Sequence, residues 1–160
     1  MRRKYTAIGM ISLAGAFAAL AFTGVGTSSA AETEDTPPYA VEDFAYPDSE
    51  KILAEQGIRL KSGDGHITLA ECSGDPAQME VWSRSQPTFC FEVTGATGYL
   101  ALELDRVYGI KGNNYNTKVD MTVDNSEVSF DLVKNGWTQV GESADPQHRD
   151  HTLMEIHATR

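Results

Sequence analysis

The chain has 160 residues, 41% of them hydrophobic and 22% charged, with a formal charge of −10 and two cysteines. That length suits a single domain. The acid excess excludes an extended phosphate-binding surface, which needs clustered Lys and Arg, so no nucleic-acid partner is expected. Two cysteines cannot supply a four-cysteine zinc site.

The N-terminal residues read as an address. Arg2, Arg3 and Lys4 are followed by an apolar stretch from Ala7 to Phe22, and small residues then lead to Ser28-Ser29-Ala30-Ala31. This order predicts a signal peptide over residues 1–31, cleaved after Ala30 or Ala31, and hence a secreted, extracellular protein with no membrane attachment after cleavage. An uncleaved anchor is the alternative, and the short, glycine-containing segment fits it less well. Cleavage would remove three positive charges and no negative ones, leaving 10 basic against 23 acidic residues, a net of −13. Such a field repels anionic lipid, nucleic acid and phosphate-bearing polymers. Cationic partners, divalent metals and neutral ligands remain open, as does a role in solubility alone.

Residues 32–47 are acidic and carry the Pro37-Pro38 pair, so they predict a flexible arm, which Tyr39, Phe44 and Tyr46 could dock onto the domain. One helix is expected, Asp48 to Gln56, with Asp48 as N-cap, Gly57 just past the C-terminus, and Ile52 and Leu53 facing the core. Beyond Gly57 the pattern is of strands. Residues 58–60 and 66–69 flank Ser62-Gly63-Asp64-Gly65, read as a hairpin turn. Met79 to Ser83 follows. Phe89, Phe91 and Val93 alternate with Cys90 and Glu92, and Leu100, Leu102 and Leu104 alternate with Ala101 and Glu103. Val119, Met121 and Val123 share one face of the next strand, and Val128, Phe130 and Leu132 share one face of its successor. Asn135-Gly136 turns into Trp137 to Val140, and the last strand, Thr152 to Ala158, alternates through Met154 and Ile156.

About eight short strands, each apolar on one side, predict an all-β fold: an antiparallel β-sandwich, jelly-roll-like, over residues 48–160 with one short N-terminal helix. A small β-barrel is the alternative. The lack of long helical patterns excludes Rossmann and TIM architectures. Export implies an oxidising setting, so Cys72 and Cys90 are expected to form a disulfide rather than leave a reactive thiol.

Three stretches invite a chemical reading. Asp105 to Thr117 (DRVYGIKGNNYNT) reads as a long connection displaying Tyr108, Asn113, Asn114 and Tyr115, whose rings and amides suit a neutral sugar or a peptide. In the other direction, the aromatics fold into the core and the asparagines make turns. His148, Asp150 and His151 offer imidazole and carboxylate in one loop, and His157 follows nearby, so zinc is possible there. A solvated loop explains the same residues. Asp64 and Asp124 sit in turns where carboxylates bind calcium or simply satisfy backbone groups. No cofactor is implied beyond a possible calcium or zinc ion. Trp82 and Trp137 lie among strand residues and read as packing or edge coverage. No GxSxG, SxxK or phosphate-binding loop occurs.

The leader, the cysteine spacing and the segments GIRLKSGDGHITLAEC, GYLALELDRVYGIKGN and KNGWTQVGES resemble small secreted proteins of high-GC Gram-positive (actinobacterial) bacteria. The resemblance spans most of the chain and carries over no activity and no functional residue. Exported subtilisin-type inhibitors of such bacteria have more cysteines. The expected function is that of a non-catalytic, monomeric binding domain for an extracellular glycan or protein. A secreted protease inhibitor comes second, and a small metal-dependent hydrolase using His148, Asp150 and His151 third.

Overall fold

The computed structural model describes residues 44–160. The predicted signal peptide and most of the predicted arm lie outside the described residues. After one helix, α1 (Ser49–Gln56), come ten strands: β1 (Arg59–Gly63), β2 (Ile67–Ala70), β3 (Met79–Ser83), β4 (Phe89–Val93), β5 (Thr97–Asp105), β6 (Val107–Lys111), β7 (Asn116–Val123), β8 (Ser126–Asp131), β9 (Trp137–Gln139) and β10 (Thr152–Thr159). They form two five-stranded antiparallel sheets. Sheet A has the order β1-β5-β10-β7-β8 and sheet B the order β2-β4-β3-β6-β9. The fold is therefore an all-β sandwich and not a closed barrel.

Period-2 patterning builds both layers. In β5, Leu100, Leu102 and Leu104 point inward and are buried. They meet Ile67, Met79, Val81, Phe89, Phe91 and Ile110 of sheet B in one continuous core. Burying each such side chain contributes roughly 1.5–3 kcal/mol, so the apolar faces must stay together.

The structure corrects several expectations. Residues 62–65 are not a hairpin turn. β1 pairs with β5 in sheet A and β2 pairs with β4 in sheet B, so this turn carries the chain from one layer to the other. The Asp105–Thr117 stretch is not a long loop. Arg106, at φ 56°, turns the chain sharply from β5 into β6, and only residues 112–115 connect β6 to β7. Asp48 lies in the left-handed region and makes no side-chain cap, although its carbonyl accepts from Ile52 N. Gly57 does close the helix, at φ 76°, donating to Leu53 O. In β10 the register shifts between Leu153, which faces Met121, and Glu155, which faces Asp120. That bulge at Met154 puts Leu153 and Ile156 in the core, where simple alternation had placed Met154.

The end of the arm is docked. Ala45 bridges to Ser62, Tyr46 N donates to Lys61 O, and the Tyr46 hydroxyl accepts from Leu69 N of β2 at 2.8 Å. Tyr46 thereby ties an extension of sheet A to the edge of sheet B, while Phe44 stays exposed.

Cys72 and Cys90 form a disulfide with a Cα–Cα distance of 5.2 Å. It joins the chain just past β2 to β4, beside the ladder pair Ala70–Cys90. Closing a loop with a sequence separation of 18 stabilises by about 3 kcal/mol in the chain-entropy model. The Cys72→Ala/Cys90→Ala variant should lose stability of that order in urea titrations. No difference from the oxidised protein would remove the disulfide as a stabilising element.

Candidate functional site

The outer face of sheet B carries an aromatic cluster. In β3, Met79 and Val81 point into the core, so Glu80 and Trp82 point out. Trp82 pairs with Gly109 of β6, whereas Ser83 pairs with Val107, so β6 holds one extra residue, Tyr108, at this point. The bulge brings Tyr108 beside Trp82, with ring centroids 6.2 Å apart. On the neighbouring edge strand β9, Trp137 packs edge-on against Trp82 at 4.2 Å. Its ring lies over Gly109, within ordinary contact distance of where a Cβ would stand. Trp137 remains 47% exposed, although large apolar side chains usually seek cover.

Two ion pairs flank the cluster. The Arg84 guanidinium lies 4.5 Å from the Tyr108 ring centroid and is held by Glu142 at 2.6 Å, which raises the arginine pKa further above its ordinary value. Glu142 sits in the short 3-10 turn Gly141–Ser143. The turn requires glycine at its start: Gly141 has φ +51° and a Cβ would collide with Val107 O. Lys111 and Glu80 form a second pair at 2.6 Å. Trp82, Arg84, Tyr108, Trp137, Gln139 and Ser143 line a shallow depression of about 280 Å³.

The sequence-predicted contacts divide. Tyr108 belongs to this cluster. Tyr115 is only 3% exposed, its hydroxyl donates to Gly95 O at 2.8 Å, and Arg160 lies over its ring at 5.2 Å. Asn113 is fully buried. Its Nδ2 donates to Ala77 O and its Oδ1 accepts from Tyr115 N, so it locks the β6–β7 connection. Asn114 is exposed. Asn113 and Tyr115 thus anchor the backbone there, and the rings of Tyr108 and Tyr115 have separate partners.

Nor does the structure bring His148, Asp150 and His151 together. His151 is buried, its Nδ1 2.8 Å from Arg149 O. Asp150 pairs with Arg106 at 3.3 Å, and His148 Nδ1 lies 3.3 Å from Glu142 O. This segment is organised instead by Asp145, whose carboxylate accepts from Gln147 N, Arg149 N and the Arg149 guanidinium. Arg149 also reaches Asp124 at 3.1 Å, which accounts for one of the two turn carboxylates. The other, Asp64, accepts from His66 N. The metal-compatible group among the described residues lies on sheet A: Asp120, Glu155 and His157, whose donor atoms all lie within 4.8 Å of one another.

Sequence reasoning missed Trp82, Trp137 and Arg84 as members of a site. The signal was available for Trp82, which shares the parity of Glu80 and opposes that of Met79 and Val81. No protein-family model matches this chain, and no curated protein does either. Among the described residues no helix is long and apolar enough to cross a membrane.

The Arg149 side-chain bond holds the Asp145 carboxyl well below the usual carboxylate range, with the Gln147 and Arg149 backbone N–H groups adding to it against desolvation. A depressed carboxylate stabilises the fold fully above its unfolded pKa of about 3.9, and that contribution is lost as pH falls toward the folded value. Asp145→Asn should therefore lose less stability than wild type between about pH 5 and pH 2 in urea titrations. Equal acid sensitivity would show that the Asp145–Arg149 pair does not stabilise the loop.

Proposed function

We propose that this domain is an extracellular, non-catalytic binding module that takes a neutral glycan on the aromatic face of sheet B. The observation that carries the reading is Trp137, left half-exposed beside Trp82 and Tyr108 on a rigid sheet. Aromatic faces stack on the C–H surfaces of sugars, while flanking polar groups address the hydroxyls; here Gln139, Ser143 and Arg84 are placed for that role. Both ion pairs on this face are internally neutral, and the acidic chain repels anionic polymers, so uncharged ligands are favoured. The disulfide suits an oxidising compartment, and the residues 1–31 pattern suits export.

Calorimetric titration with soluble neutral oligosaccharides tests the proposal. Trp137→Ala should weaken binding at least tenfold, about 1.4 kcal/mol, and Tyr108→Ala less. Asn114→Ala, at a side chain that does not line the depression, should bind as wild type. Retained affinity in Trp137→Ala, or no binding by wild type across neutral glycans, would overturn it.

A further inference from the structure

The outer face of sheet A presents a different chemistry. Glu155 and His157 lie two residues apart on β10 and so share a face, and the bulge at Met154 sets that face outward while Leu153 and Ile156 stay in the core. Asp120 of β7 pairs with Glu155 in the ladder, and His157 is opposite Lys118 on one side and Tyr99 of β5 on the other. Two adjacent strands, β7 and β10, thus deliver one imidazole and two carboxylates to one place.

We propose that Asp120, Glu155 and His157 form a binding site for a zinc-type divalent ion. His157 Nε2 lies 3.0 Å from Glu155 Oε2 and 3.5 Å from Asp120 Oδ2. Ligands about 2.0–2.1 Å from a tetrahedral ion stand roughly 3.3 Å from one another, so a single ion can reach all three with small side-chain adjustments.

The second observation is how the carboxylates are held. Tyr99 donates its hydroxyl to Glu155 Oε1 at 3.3 Å, and Ser129 of β8 donates its hydroxyl to Asp120 Oδ1. Each carboxylate therefore has one oxygen tied by a neighbouring strand and turns its other oxygen toward His157. Hydroxyl partners that orient ligating carboxylates in this way are characteristic of built metal sites. The Tyr99 ring also packs 5.0 Å from the His157 ring and limits its rotation. Lys118 Nζ approaches Asp120 at 3.7 Å, but on the Oδ1 side, and its exposed side chain is free to swing away.

The donor set selects the ion. An imidazole nitrogen with two carboxylate oxygens suits zinc and its first-row neighbours, whereas calcium requires six to eight oxygens. The ion would bind the Nε2 lone pair of the Nδ1–H tautomer of His157, the nitrogen that faces both carboxylates. Asp120 is only 8% exposed, but Glu155 and His157 are partly open, so the remaining coordination position faces solvent. The site lies on the opposite outer face from the aromatic cluster and does not rest on the glycan reading.

Zinc titration of tag-free, metal-stripped protein by calorimetry should show one equivalent bound. His157→Gln and Asp120→Asn should each weaken it at least tenfold while keeping wild-type far-ultraviolet circular dichroism. On wild type alone, zinc should shift the His157 ring resonances saturably and leave those of His66, His148 and His151 unmoved. Absence of saturable zinc binding, unchanged affinity in both variants, shifts centred on another histidine, or calcium bound in preference to zinc would each overturn the site.

Discussion

Two apolar sheet faces must cover each other, and the rest of the molecule follows from that requirement. Leu100, Leu102 and Leu104 of β5 cannot be withdrawn from Phe91, Val81 and Ile110 without exposing the core they share. The parity of every strand is thereby fixed, because a slip of one residue would turn each apolar set outward. Fixed parity in turn decides which side chains the two outer faces present.

Within that constraint, bulges are the device that adjusts the outer faces. One extra residue in β6 brings Tyr108 to Trp82 without disturbing Val107 or Ile110 in the core. The bulge in β10 does the same for Glu155 and His157 while keeping Leu153 and Ile156 inside. The results differ in chemistry. Sheet B displays rings beside two ion pairs, whereas sheet A displays an imidazole beside two carboxylates held by hydroxyls. A short 3-10 turn beginning at Gly141 links these levels, since it places Glu142 to hold Arg84 against Tyr108.

The layered fold was legible in the sequence because strict alternation, as in residues 99–104 and 118–123, records burial directly. Pairing was not. The turn at residues 62–65 carries the same Gly and Asp chemistry whether the chain returns within a sheet or crosses to the other, and the crossing at 105–107 turns on Arg106, a residue with no turn signature. The candidate site was half legible. The sequence singles out Tyr108, which lies in the aromatic cluster, and puts metal-ligand chemistry at His148, Asp150 and His151, whose two histidines lie against backbone carbonyls. The Asp120–His157 association depends on β7 lying beside β10, a long-range pairing that no local spacing encodes. Likewise, Asn113 looks like a displayed amide in sequence, yet its two side-chain hydrogen bonds hold a loop closed.

The central claim is that the aromatic face of sheet B receives the ligand. Amide and indole chemical-shift mapping during titration of isotope-labelled protein with a neutral oligosaccharide tests it directly. The account predicts that shifts concentrate on the indole of Trp137 and on the backbone of Tyr108, Gly109 and Gln139, with sheet A silent. Shifts centred on residues 112–115 or spread over sheet A would contradict it.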